Sequence, residues 1–265
     1  MTGANAIASL AQSLLAGRDG LAVLGLAGAQ GSGKSTLARQ VAARFGNSAV
    51  LSLDDLYHTQ ATRARLAREV HPLFATRGVP GTHDLALGHA VLDSLARNLP
   101  CRLPRFDKGA DERRPEDDWP AAPSPTRLLI LEGWCLGAQP QPEEALAAPA
   151  NALERDEDPQ ATWRRHANQL LATSYASFFA RIDALVFLKA PEFDVVAGWR
   201  AQQEAELPVA QRMPGPALAR FIAHYERITR HMLDDLPGRA DLTLALDADR
   251  RPVQAQWLAR RGSLG

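Results

Sequence analysis

Gly28-Ala29-Gln30-Gly31-Ser32-Gly33-Lys34-Ser35-Thr36 has the residue types and spacing of a loop that cradles phosphate. Its glycines let backbone N–H groups turn inward, Lys34 can meet the outer phosphates as a point charge, and the Ser35 hydroxyl suits a bridging magnesium ion. The apolar run 21–27 before the loop reads as a buried strand. The pattern from Ser35 to Phe45 reads as a helix, so the loop opens at a helix N-terminus whose dipole favours negative charge. The expectation is binding of a nucleoside triphosphate, ATP with Mg2+.

Phosphoryl transfer to a hydroxyl also needs an acid to take the hydroxyl proton and another to hold the metal. Asp54 and Glu132 fit these two roles, because each follows a short apolar run, 49–53 and 127–131, that reads as a parallel strand. A turn or helix-capping role is the alternative for each. Asp55 and Tyr57 follow Asp54 directly and are expected on the acceptor side. His83 and Asp84 close a Gly-Pro loop, where Asp84 suits either a helix cap or a hydroxyl contact. Arg105, Asp107, Lys108 and Arg113 share a proline-flanked loop whose cations could grip an acid group on the acceptor, the alternative being a solvated charged loop. Arg200, with Trp199 beside it and Arg212 beyond, falls in a segment expected to form a lid over roughly 190–230. A lid arginine neutralises transition-state charge.

The elements that must position these residues suggest an α/β fold: a doubly wound, mostly parallel sheet with helices on both faces and a helical lid, in one domain over residues 1–265. Helices are expected at 4–16, along a face made by Trp163, Ala167, Leu170, Leu171, Ser174 and Phe178, and along another made by Leu218, Phe221, Ile222, Tyr225, Ile228 and Met232. Further strands are expected at 184–188 and 242–246, and a last helix at 253–260. Residues 100–125 read as an irregular functional loop, and 137–160, rich in Pro, Ala and acids, as a solvated, flexible insertion. Lys plus Arg and Asp plus Glu both number 30, so no basic surplus points to nucleic acid or a membrane surface. The two cysteines and the lack of a signal-like start suggest a reducing, cytoplasmic setting and a small-molecule substrate.

In order along the chain, R-G-V-P-G-T-H-D (77–84), L-P-R-F-D-K (103–108), D-E-R-R-P with Trp119, and L-E-G-W-C-L-G (131–137) follow the phosphate loop and L-S-L-D-D-L-Y-H-T (51–59). This series resembles the glycerate 3-kinase family of P-loop kinases, within the wider phosphoribulokinase and uridine kinase group. The resemblance covers the N-terminal half closely and the rest loosely, through Trp199-Arg200, Arg212-Met213 and the stretch from Phe221 to Tyr225. It implies a P-loop NTPase fold and ATP-dependent phosphorylation of D-glycerate to 3-phosphoglycerate. Asp54 would be the base, and the loops around Asp84 and from Arg105 to Lys108 would face the acceptor. Phe106 stands where a tyrosine is common, removing any hydroxyl contact there. Another acceptor on the same fold, such as a nucleoside, pantothenate or a sugar acid, and an ATP-driven switch are the alternative readings.

Overall fold

The computed structural model describes residues 2–205 and 212–258. The elements run α1 (Gly3–Leu15), β1 (Ala22–Gly28), α2 (Lys34–Ala42), β2 (Ser48–Ser52), α3 (Gln60–Glu69), α4 (Leu85–Ala96), β3 (Phe106–Asp107), β4 (Glu112–Arg113) and β5 (Leu128–Gly133). They continue through α5 (Glu143–Ala147), α6 (Ala152–Glu157), α7 (Thr162–Leu170), α8 (Ala176–Phe179), β6 (Ala184–Lys189), α9 (Phe193–Ala205), α10 (Gly215–Asp235), β7 (Leu242–Leu246) and β8 (Pro252–Trp257).

The sheet order is β2-β5-β1-β6-β7-β8, parallel except for β8, with helices on both faces. β1 and β5 are buried along their whole lengths, as continuous apolar runs require between two helical layers. α1 and α2 pack together against β1, β2 and β5. The β1–β5 and β2–β5 registers put Leu26, Glu132 and Ser52 in one row at the C-terminal edge. The phosphate loop leaves the same edge from the middle of the sheet, where ligands enter open parallel sheets.

Three expectations are corrected. Residues 253–257 form the antiparallel edge strand β8, not a helix; Arg250, at φ +66°, turns the chain back along β7, and 259–260 lie outside the described residues. Ser174 is exposed while Tyr175 is buried, because Leu171–Tyr175 makes a π turn that shifts the buried face by one residue. The 137–160 stretch is not wholly solvated: much of it is exposed, but Gly137, Ala138, Leu146, Leu153, Glu154 and Asp158 are buried. Leu153 joins Leu73, Phe74, Val79 and Trp163 in a second apolar cluster, buried Glu154 pairs with Arg227 at 2.6 Å, and fully buried Asp158 pairs with Arg164 at 3.1 Å. Glu154 and Asp158 are therefore internal ties from this segment to α10 and α7, while its other acids are exposed.

Burial without compensation makes stability pH-dependent. His224 donates through Nδ1 to the Arg220 carbonyl at 2.8 Å, and burial pushes its pKa down to about 4. Burial likewise holds His83 at about 3. A histidine depressed in the folded state takes up its proton more readily when unfolded, so the stability is fully present above the ordinary value of about 6.5 and is lost progressively as pH falls towards 4 and 3. The urea midpoint should fall between pH 7 and pH 4.5, and His224→Phe should flatten that slope. An unchanged slope contradicts the assignment.

Candidate active site

The loop between β1 and α2 is shaped by Gly31 at φ +77° and Gly33 at φ +85°, conformations that favour glycine. At Gly31 space is also short: an added Cβ would lie 2.6 Å from the Trp199 Cβ, so α9 packs directly on the loop. The Ser32 hydroxyl is buried with no hydrogen-bond partner. Beside the loop a cleft of about 510 Å3 is lined by Ser32, Gly33, Thr36, Leu37, Gln40 and Arg250, among others.

Ser35, in the first turn of α2, donates to Glu132 Oε1 at 2.8 Å, while Glu132 Oε2 is buried and unpartnered. A hydroxyl and an unsatisfied buried carboxylate oxygen are the hard donors that Mg2+ takes, so these residues fit the metal. Glu132 lies within β5 rather than just after it.

After β2 the chain makes a short 3-10 turn over Leu53–Leu56, with Ser52 accepting from the Asp54 N–H. Asp54 Oδ1 accepts from the Tyr57 hydroxyl at 2.8 Å, and Oδ2 pairs with Lys108 Nζ at 2.6 Å. Burial pushes the Asp54 carboxyl up, but the Lys108 and Lys34 charges and the bonds from Lys108 and Tyr57 outweigh it, leaving the carboxyl well below the usual range. Burial and the Asp54 charge raise the Tyr57 phenol, which keeps it a donor.

The other acceptor-side candidates assemble around this pair. Asp55 accepts from the Phe106 N–H at 3.0 Å and pairs with Arg105 at 3.3 Å. Asp84 caps α4 through the Leu87 N–H, as the capping reading expects, and also pairs with Arg113 at 3.1 Å. The Tyr175 hydroxyl accepts from the Gly81 N–H and shares a second hydrogen bond with His83 Nδ1, 2.6 Å away. His83 Nε2 is buried with no partner, on a ring stacked against Tyr57. The cationic loop is not free: Arg105, Lys108 and Arg113 are each engaged by an acid, although Lys108 is exposed. Asp107 stands apart, capping Gly109 and Ala110 and pairing with exposed Arg114.

No family model matches the chain. The chain is 33% identical over 252 residues to the Schizosaccharomyces pombe protein called uncharacterized kinase mug58, covering 87% of this chain and 90% of that one. It is 29% identical to the chloroplastic D-glycerate 3-kinase of Arabidopsis thaliana, covering 88% of this chain and 54% of the plant protein. The chain belongs to the D-glycerate 3-kinase family of P-loop kinases. A D-glycerate 3-kinase from Cryptococcus neoformans superposes with a TM-score of 0.79 over 96% of this chain and 99% of that one, at 23% identity, and shares its fold. As a member of this kinase family the protein is an ATP-using phosphotransferase with an alcohol acceptor, acting on a small molecule. Among the described residues no helix is long and apolar enough to cross a membrane.

Arg200 is engaged within the α9–α10 pair: it pairs with Glu204 at 2.8 Å and lies over the Phe221 ring. The sequence reading missed a different arginine. Arg250, in the β7–β8 turn, donates to the Gly31 carbonyl at 2.6 Å and to Gln202 Oε1 at 2.7 Å, and lies over the Trp199 ring, tying the phosphate loop to α9. Nothing local in its sequence signals this, because the partners lie roughly 50 and 220 positions away. Arg250→Ala should raise the KM for ATP about tenfold, the cost of roughly one charge-assisted hydrogen bond, with less effect on the acceptor KM. Equal changes in both constants contradict that role. Arg63, also missed, is buried and holds Asp111, which Arg77 grips from the other side, fixing the 103–114 loop.

Proposed function

We propose that the protein transfers the γ-phosphate of ATP to a hydroxyl of D-glycerate, forming 3-phosphoglycerate. The observation that carries this reading is the Asp54 carboxylate held between Lys108 and the field of the phosphate-loop Lys34, with Tyr57 on its other oxygen. A base beside the phosphate loop and paired with a lysine suits an acceptor that carries both a hydroxyl and a carboxylate. The similarity to the Arabidopsis enzyme and the shared motifs support the same substrate.

In this account the loop from Gly28 to Thr36 and Lys34 bind the phosphates, and the cleft beside Arg250 receives the nucleoside. Ser35 and Glu132 would hold Mg2+, which when bound offsets charge on the phosphate oxygens. His83 Nε2, buried without a partner, offers a hydrogen-bonding site to an acceptor hydroxyl. Asp55 and Asp84, fixed by Arg105 and Arg113, line the acceptor side with Tyr57. Asp54 receives the proton of the attacking hydroxyl. Arg200 would have to leave Glu204 to reach the transferring phosphoryl group, as closure of the 190–230 lid would allow. Positioning and electrostatics do most of the work, as expected for phosphoryl transfer.

Coupled ADP release with Mg-ATP tests the reading, using D-glycerate, uridine and pantothenate as acceptors. Stimulation by D-glycerate alone is the expected result. Stimulation by uridine or pantothenate instead overturns the glycerate assignment, and slow hydrolysis indifferent to every acceptor favours an ATP-driven switch.

A further inference from the structure

The three acid–base pairs of the acceptor side are not equivalent. Arg105 also donates to the Pro104 carbonyl at 2.7 Å, and its partner Asp55 is tied to the Phe106 N–H. Arg113 also donates to the Tyr57 carbonyl at 3.0 Å, and its partner Asp84 is committed to the α4 cap. Both pairs are parts of the loop architecture. Among the described residues the Lys108 ammonium bonds to Asp54 alone, its side chain is 60% exposed, and it sits on a flexible four-carbon stem. Its backbone is held firmly. Arg77 donates to the Lys108 carbonyl at 3.3 Å, Asp107 caps the next two residues, and Asp111 is gripped by Arg63 and Arg77. The loop is therefore fixed and the Lys108 side chain is the part free to swing.

We propose that Lys108 makes phosphoryl transfer conditional on an anionic acceptor: it blocks Asp54 in the free enzyme, and the acceptor carboxylate draws it away. The inference rests on the kinase reading above and adds a specificity-determining role to it. While Lys108 is on Oδ2 and Tyr57 on Oδ1, both oxygens are engaged and the carboxylate is stabilised against protonation, which makes it a weak base. A carboxylate on the acceptor offers Lys108 an equivalent partner, so the swap exchanges one ion pair for another at little net cost. A neutral alcohol offers none. Once Oδ2 is free, the acceptor oxygen bonds to the γ-phosphorus as the bond to the β–γ bridging oxygen breaks. The electron pair leaves on ADP, and the hydroxyl proton passes to Asp54.

Simple binding of the acceptor carboxylate by Lys108 and release of the base by its departure make opposite predictions for an acceptor without a carboxylate. The test compares D-glycerate with glycerol, which keeps the hydroxyls and lacks the acid, in the wild type, Lys108→Met and the Asp54→Asn/Lys108→Met double variant, with ADP release and phosphorylated product as readouts. Lys108→Met should lose about 100-fold in kcat/KM for D-glycerate yet gain about tenfold in kcat for glycerol, within the range of general-base effects, and the double variant should lose the gain. Glycerol turnover at or below the wild-type level in folded Lys108→Met overturns the proposal. If that variant fails to fold by circular dichroism, Lys108→Gln supplies the same comparison. Failure of the wild type to use D-glycerate would remove the substrate assignment, while the glycerol comparison would still decide whether Lys108 restrains Asp54.

Discussion

Asp54→Asn should lower acceptor-dependent phosphoryl transfer by about 1000-fold, within the 10²–10⁴-fold range of general-base catalysis, while ATP affinity changes by less than about threefold. The amide can still accept from Tyr57, so the 3-10 turn after β2 has no reason to collapse. What is lost is the one acid that combines a strand-end position, a place near Lys34 and a bond to the acceptor loop. The check is kcat by coupled ADP release beside ATP binding by calorimetry. A loss in kcat below about tenfold would mean that another group accepts the proton.

Lys34→Met should reduce kcat/KM for ATP by about 100- to 1000-fold, the usual cost of removing a preorganised charge from a developing oxyanion, with both kcat and ATP affinity falling. The variant carries a second signature. Lys34 and Lys108 together hold the Asp54 carboxyl down against burial, so removing one cation moves the acid limb of the pH–rate profile to higher pH. Steady-state rates between pH 3 and pH 8 read both effects, the variant's acid limb rising towards the ordinary carboxylate range. An unmoved acid limb would separate Lys34 from the Asp54 field.

The parts of this molecule legible in its sequence were those in which local pattern and chemistry coincide. β1, the phosphate loop and α2 are contiguous, and β5 is a pure apolar run ending in an acid, so Ser35 and Glu132 could be paired before their 2.8 Å contact was known. Where the deciding partner is remote, the sequence was silent or misleading. Val253 to Trp257 fits a short helix as well as a strand until β7 supplies the ladder. Glu154 and Asp158 look as solvated as the other acids of 137–160 until Arg227 and Arg164 are found paired with them. Lys108 was readable as a cation for the acceptor, but not as the partner of an aspartate 54 positions earlier. Arg250 acts through the Gly31 carbonyl, a backbone atom that leaves no trace in residue type.

The central claim is that this family member phosphorylates D-glycerate, and the most direct measurement is identification of the product by ³¹P and ¹³C NMR after incubation with Mg-ATP and D-glycerate. The account predicts stoichiometric ADP and a single new phosphomonoester on C3, absent with Asp54→Asn. A phosphate on C2, or ADP formed with free phosphate and unchanged D-glycerate, would contradict it.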